Sequence, residues 1–338
     1  MISIIIVGYN SLKYLDDCLS SLFESSYKNF EVIFVDNNSK DSSMSFIKKD
    51  FSTVEIIESK KNLGFAGGNN LGIKKALKNK SEYIFLLNPD TIIDKDCLEK
   101  LINKADDRTI LQPLILLHEN SKKTNLINTT GGYLNFLGFS YCSDYRLDKK
   151  MAKEKDIAIA SGAAVFIPAE ILRKIGLFDE SFFMYHEDVD LFWRARLFGH
   201  NIKLLPNALV WHKYSFSKNN KKIFYVERNR LLFLYKNFEL KYWILILPIF
   251  IFNEIIVVLY SLLSGWFVYK IKSYISVIRL IKFEKKQNNK NQSILIAPLK
   301  QLRKFIVADI YFSEVTNLFF YPYNLVMKLY WKIIFLII

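Results

Sequence analysis

The stretch "SIIIVGYNS", Ser3–Ser11, decides how the fold is read. An unbroken apolar run that stops at Gly-Tyr-Asn is the pattern of a strand buried on both faces and ended by a turn. Such strands belong to largely parallel sheets covered by helices, in which ligands bind beyond the carboxyl ends of the strands. The following segments keep the alternation. In "SLKYLDDCLSSLFES", Leu12, Leu15, Leu19 and Leu22 recur at helical spacing, and "FEVIFVDNNS" is a second buried strand ending in a polar turn. The helical "DSSMSFIKKDF" precedes "VEIIES", and "LGIKKALKN" precedes "YIFLLNPDT". This βαβ order predicts an α/β fold with a mostly parallel sheet flanked by helices.

The chain has 338 residues, 51% of them hydrophobic and 24% charged, which is enough for a packed core and excludes a disordered protein. Cys18, Cys97 and Cys142 have neither disulfide-framework nor zinc-site spacing, which fits a reducing compartment. The first apolar run is too short for a signal peptide and lacks a basic leader, so the N-terminal part is expected to face the cytosol.

The net charge of +14 is carried entirely by the last third. Residues 1–212 hold 27 basic and 27 acidic side chains, whereas residues 213–338 hold 20 and 6. In that last third the run Tyr242–Tyr269 has Glu254 as its one charge, bracketed by Lys241 and Lys270, and "LFFYPYNLVMKLYWKIIFLII" closes the chain. Basic residues around long apolar segments rich in Trp and Tyr point to a membrane surface rather than to nucleic acid. The expected organisation is a catalytic domain over 1–215 and a helical, basic and apolar membrane-associating region over 216–338.

A dinucleotide-binding dehydrogenase requires G-x-G-x-x-G directly after the first strand. The turn here, "VGYNS", has one glycine, and the glycine-rich "NLGFAGGNNLG" (Asn62–Gly72) has other spacing and follows a later strand. Acids at strand ends say more. Asp36 ends "VIFVD" and Asp90 ends "FLLNPD". Singly, each is ordinary turn chemistry. Together they suggest a site, since a carboxylate can accept from a base or a ribose hydroxyl, or hold a hard divalent cation. In "DESFFMYHEDVDLFWRARLFG", helical spacing from Val189 onward sets Glu187 and Asp188 near a helix N-terminus. Acids there are either caps or carboxylates kept ionised for general-base work. His212 ends "NALVWH" and is by itself more often structural than a ligand.

Taken in order, "SIIIVGYN", "VDNNSKD", "NLGFAGGNNLG", "LLNPDT", "SGAAVFIP", "IGLFDESFFMYHEDVDLFWRARLFG" and "NALVWH" resemble the family 2 inverting glycosyltransferases of the GT-A fold. The resemblance is nearest to the rhamnosyltransferase-like and galactofuranosyltransferase-like branch. It extends over about residues 1–235 and includes "ERNRLLFLYKN". It implies a nucleotide-diphospho-sugar transferase sheet, a uridine or thymidine diphosphate sugar as donor, and Mg²⁺ or Mn²⁺ as cofactor. It further implies donor contacts from Tyr9, Asn10, Asp36, Asn38, Gly67, Gly68, Asn69 and Asn88, with Asn88 standing where the family's metal motif has its first acid. Gly162 and Glu187 would border the acceptor or the donor sugar, Asp188 would be the catalytic base, and Asp90 and His212 would hold the metal.

The chemistry agrees with these residue types. Leaving-group charge is neutralised by a divalent ion, and a carboxylate on the opposite face deprotonates the acceptor, so one displacement inverts the anomeric centre. Arg228 and Arg230 either add charge near the diphosphate or contact surface and lipid. The Q-x-x-R-W motif of processive synthases is absent, which favours single transfer. A nucleotidyltransferase acting on a sugar phosphate and an inactive membrane scaffold are the alternatives. The basic, apolar tail makes a lipid-linked glycan the expected acceptor. Glu254 and Pro248 argue against an unbroken spanning helix, and Lys328 and Lys332, one turn apart, suggest an in-plane amphipathic helix. Helices lying at the cytoplasmic face of the cell membrane, or a shallow hairpin, are therefore expected ahead of a transmembrane span.

Overall fold

The computed structural model describes residues 1–214, 219–286, 299–311 and 320–337. Its first half follows the expected alternation: β1 (Ile2–Gly8), α1 (Leu12–Phe23), β2 (Phe30–Asp36), α2 (Ser43–Asp50), β3 (Glu55–Glu58), α3 (Gly64–Lys78) and β4 (Tyr83–Leu87). After β5 (Thr91–Ile93) and α4 (Cys97–Lys104) come the hairpin of β6 (Thr109–Glu119) and β7 (Lys122–Thr129), then β8 (Gly132–Asn135), β9 (Ser140–Cys142) and β10 (Lys155–Asp156). β11 (Ala164–Pro168), α5 (Ala169–Ile175), α6 (Glu187–Leu197) and β12 (Asn201–His212) complete the sheet region.

The main sheet is mixed, in the order β10-β12-β6-β11-β4-β1-β2-β3. Strands β3, β2, β1 and β4 are parallel, while β11 runs antiparallel between β4 and β6. The apolar run at the N-terminus is thus a central strand, and Ile2, Ile4, Ile5 and Ile6 are fully buried between two helical layers. One departure concerns the glycine-rich stretch. Gly64 to Asn70 are already helical, because helix α3 begins at Gly64 with a positive φ and not at Leu71. A Cβ on Gly68 would lie 2.6 Å from Val7 Cγ1, so that glycine lets α3 pack against β1.

The C-terminal region consists of α7 (Asn220–Asn237), α8 (Leu240–Leu263), α9 (Phe267–Lys286), the short α10 (Leu299–Leu302), β13 (Ile306–Val307) and α11 (Phe320–Ile337). Strand β13 joins β8 and β9 in a second, three-stranded sheet, so the tail packs back on the first half. Tyr242 donates to the Phe136 carbonyl at 2.7 Å, and Phe136 stacks on Trp331. The boundary expected at 215 lies outside the described residues.

Helix α8 continues through Pro248. The reason for expecting a break fails at Glu254 as well, because the carboxylate is not presented to lipid. It is 9% exposed and bonds to Arg230 Nη2 at 2.5 Å, Lys270 Nζ at 2.9 Å and Tyr274 Oη at 2.5 Å. Arg230 also pairs with Glu227 at 3.0 Å, and Lys270 pairs with Glu227 too. Two cations and two anions neutralise one another inside the α7–α8–α9 contact. Arg228 and Arg230 are accordingly buried and bound to protein groups, so neither is a surface or lipid contact. Glu254→Leu is expected to cost about 3–5 kcal/mol of stability, because it leaves buried cations uncompensated. Chemical denaturation in detergent checks this, and a loss under about 1 kcal/mol would mean that the cluster does not hold the helices.

Candidate active site

The carboxyl ends of β1, β2 and β4 lie side by side, with Gly8 in register with Asp36. Asp36 is 3% exposed, and its Oδ2 accepts the Ser39 amide at 3.2 Å. Its Oδ1 is buried without a partner, an acceptor held ready for a donor group. Asn10 and Asn38 both adopt positive φ, and the Asn10 side chain accepts the Lys40 amide at 2.7 Å, which ties the two turns together. Tyr9 is 52% exposed at the rim. Gly67, Gly68 and Asn69 are buried within α3, where Asn69 donates to the Phe65 carbonyl, so their side of α3 serves packing in this structure.

Antiparallel pairing of β11 with β4 brings the start of β11 to the end of β4, and the Asn88 amide donates to the Ala163 carbonyl at 2.9 Å. Gly162, one residue earlier, donates its amide to Asp188 Oδ2 at 3.3 Å. A Cβ on Gly162 would meet the Phe65 ring at 3.0 Å and Asp188 Cβ at 3.6 Å, so this residue must be small. Asp188 also accepts the Val189 amide at 2.8 Å, in the first turn of α6.

Burial pushes the Asp188 carboxyl above its ordinary range, against the two amides. Burial and the charge of Asp188 push Glu187 further up. Glu187 Oε2 is buried without a partner. Both carboxyls are thus harder to ionise than free ones, and at Asp188 the Gly162 and Val189 amides oppose that rise. Residues Phe183, Tyr185 and His186, just before α6, all have positive φ, an arrangement costing about 1–3 kcal/mol per residue that the surroundings must sustain. Burial lowers His186 to about 4, so it is neutral, and its Nε2 donates to the Gly138 carbonyl at 3.0 Å.

The antiparallel pairing of β5 with β12 sets His212 opposite Thr91, next to Asp90. His212 Nε2 lies 3.3 Å from Asp90 Oδ1, while Nδ1 lies 3.0 Å from Asn128 Oδ1. In the tautomer that donates Nδ1–H to Asn128 Oδ1, the Nε2 lone pair faces Asp90 Oδ1, an arrangement that a cation relieves. The two residues would thus suit a divalent cation. Among the described residues no group of three or more His, Cys, Asp or Glu forms a complete cage. Asn128 on β7 and Gln112 on β6 were not singled out in the sequence. Gln112 accepts the Ser161 amide at 2.7 Å, and both amide nitrogens are buried without partners. Their residue type carries no motif, and only strand pairing brings them near the site.

Comparison with known proteins turns this geometry into a family. The family model described as glycosyl transferase family 2 matches residues 3–176, more than half of the chain. The chain belongs to glycosyl transferase family 2. The matched span contains Asp36, Asp90 and Gly162, while Asp188 and His212 lie beyond it. Among curated relatives, the low-salt glycan biosynthesis hexosyltransferase Agl10 of Haloferax volcanii is 30% identical over 204 residues, covering 60% of this chain and 63% of its own. The poly-beta-1,6-N-acetyl-D-glucosamine synthase of Staphylococcus epidermidis is 27% identical over 225 residues, covering 62% and 49%. This chain thus spans about half to just under two thirds of those relatives. Among solved structures, GalNAc-T7 with UDP, GalNAc and Mn²⁺ has a TM-score of 0.56 at 16% identity, covering 70% of this chain and 47% of its own. S. aureus TarS has a TM-score of 0.51 at 19% identity, covering 74% and 42%. These likenesses give this family 2 chain a GT-A-like fold.

If Asp90 and His212 share one cation, Asp90→Ala and His212→Ala should each weaken Mn²⁺ binding, with the double variant little worse than either single one. Titration calorimetry with UDP present checks this. Strictly additive losses would show that the two act apart.

Proposed function

We propose that the chain is an inverting glycosyltransferase, moving a hexosyl or pentosyl group from a UDP- or dTDP-sugar to a hydroxyl of a lipid-linked glycan. The observation that carries this reading is the buried Asp188 carboxyl, held by the Gly162 and Val189 amides at the start of α6 and beside Gly162 at the end of the sheet. Family membership and the neighbour solved with UDP, GalNAc and Mn²⁺ agree with a nucleotide donor and a cation.

In this reading Asp36 receives the base or ribose through its unpartnered Oδ1, with Tyr9, Asn10, Asn38 and Asn88 around the nucleotide and sugar. Gly67, Gly68 and Asn69 would serve the donor indirectly, by seating α3 beneath it. Asp90 and His212 hold the Mg²⁺ or Mn²⁺. When bound, that ion neutralises charge on the departing diphosphate. Asp188 takes the proton of the acceptor hydroxyl as that oxygen attacks the anomeric carbon from the face opposite the diphosphate, which inverts the centre. Gly162 leaves space for the acceptor or donor sugar, and Glu187, whose burial disfavours its charged form, borders it. The branch resemblance and single, non-processive transfer belong to the same proposal.

A base with a raised pKa must lose its proton before it works, so activity should rise with pH through a limb above the usual carboxylate value of about 4. Asp188→Asn is expected to lower turnover by about 10² to 10⁴ with donor binding nearly intact. Glu187→Gln, which imitates the protonated acid, should stay within about tenfold of wild type. Release of nucleoside diphosphate from nucleotide sugars measures all three. More than a tenth of wild-type turnover in Asp188→Asn would overturn the base assignment, and pyrophosphate release from a triphosphate would indicate a nucleotidyltransferase.

The acceptor class rests on the C-terminal region, taken here as a membrane-associating unit after about residue 215. Among the described residues one helix, Leu240–Leu263, is long and apolar enough to cross a membrane, with a mean hydropathy of 2.3. Its protein-facing side holds Tyr242, Ile246, Ile249, Asn253 and Glu254. Its other side exposes Ile244, Leu247, Ile251, Ile255, Leu259 and Leu262, and helix α11 exposes Leu325, Leu329, Ile333 and Leu336. A helix with one face committed to protein and the other bare and apolar suits the membrane interface at the cytoplasmic face, with the basic excess drawn to anionic lipid. Ile251→Asp with Ile255→Asp should weaken binding to vesicles containing anionic lipid without lowering the melting temperature in detergent. Undiminished flotation with such vesicles would reject this seat.

A further inference from the structure

The sequence block "ERNR", Glu227–Arg230, is not used by the transfer chemistry, yet all four residues are buried, and Arg228 and Asn229 bond to the loop that leads into Asp188. Asn229 is 0% exposed. Its Nδ2 faces three acceptors of the loop before α6: the carbonyls of Phe182 at 2.8 Å, Met184 at 2.8 Å and Tyr185 at 2.6 Å. Arg228 donates to the Ser181 and Phe182 carbonyls at 2.9 and 2.6 Å, and its Nε donates to Asn229 Oδ1 at 2.7 Å, which fixes the orientation of the amide. This is the loop whose Phe183, Tyr185 and His186 have positive φ. Left to itself, a non-glycine segment leaves that conformation, and the carbonyl contacts are what oppose it.

Arg230 acts one contact away, on the 137–138 turn that receives His186. Its Nη1 donates to the Leu137 carbonyl at 3.1 Å, and the next carbonyl, that of Gly138, receives His186 Nε2. Arg230 is itself oriented by Glu227 and by Glu254 of the apolar helix α8. A continuous set of polar contacts therefore runs from α8, through Arg230, Leu137–Gly138 and His186, to the first turn of α6.

We propose that Asn229, with Arg228 and Arg230 on either side, is the positioning clamp of Asp188, and that Glu254 ties this clamp to the apolar helix. None of these residues touches substrate in this account. They hold the loop in its high-energy backbone so that Asp188 meets the Gly162 and Val189 amides. The inference rests on the proposed base role of Asp188, and its test separates the two.

Hydrogen exchange on the full chain in detergent needs no substrate. In Asn229→Ala, amides of residues 183–189 should exchange at least about tenfold faster than in wild type, while those of β1 and β4 stay as slow. Equal acceleration everywhere, or none at 183–189, overturns the clamp. Asn229→Asp keeps the shape but turns an acceptor toward three carbonyls, so it must behave like the alanine variant, and wild-type exchange there overturns the proposal. Should Asn229→Ala not fold, Glu254→Gln must speed exchange at 137–139 and 183–189 by about threefold, with unchanged exchange again decisive against it.

Turnover supplies the second readout. Asn229→Ala should lower kcat at least about tenfold while UDP binding in the presence of Mn²⁺ changes by less than about twofold. The acid limb should also move to higher pH, because Asp188 loses amides that favour its ionised form. Among the described residues, Glu187 on the same helix and Cys142 on β9 are titratable groups that interact with Asp188, and neither is altered. An unmoved limb with unchanged kcat overturns the positioning role. A wild-type chain that releases no nucleoside diphosphate from any nucleotide sugar removes the transferase reading, and the exchange measurement still decides the clamp.

Discussion

One strand running against its neighbours organises the site. Because β11 is antiparallel between β4 and β6, its first residues arrive where β4 ends, and Gly162 comes beside Asn88 rather than at the opposite edge of the sheet. Residues 88–90 and 161–163, far apart in the chain, then share one rim. Helix α6 follows soon after β11, so its first turn reaches back to Gly162. The pairing of β12 with β5 adds His212 to the same edge as Asp90. The parallel half of the sheet supplies the ends of β1 and β2, which the proposed reading gives to the nucleotide, and the mixed half supplies Asn88, Asp90, Gly162 and His212.

Burial acts differently on two adjacent carboxyls. Glu187 and Asp188 differ by one position, but it is Asp188 that accepts amides from two other residues. The ionised form is favoured where donors converge and disfavoured where few do. Burial raises both acids, and local hydrogen bonding opposes the rise more at Asp188 than at Glu187.

Charge is handled similarly in the C-terminal helices. A carboxylate in the middle of a long apolar helix looks prohibitive when only the helix is considered. Glu254 becomes tolerable because Arg230 and Lys270, from two other helices, meet it in the interior. The apolar helix is thereby held on one face and leaves the other bare, so the proposed membrane seat and Arg230 share one set of buried ion pairs.

The local pattern of this sequence determined the βαβ order, the buried strand at Ile2–Gly8, the strand-end acids and the start of α6, because period and turn chemistry are short-range properties. It also set the sharp charge division between the two regions. Local pattern did not reveal that "GFAGGNN" is helical, since glycine and asparagine are weak helix formers and only packing of Gly68 on Val7 makes a helix favourable there. Nor did it assign Arg228 and Arg230, whose partners are main-chain carbonyls and acids from other elements. Asn128, Gln112 and Asn229 carry no spacing signal at all. Their roles come from strand register and helix packing, long-range contacts that the tertiary structure alone decides, because each needs a partner dozens of residues away to satisfy a buried polar group.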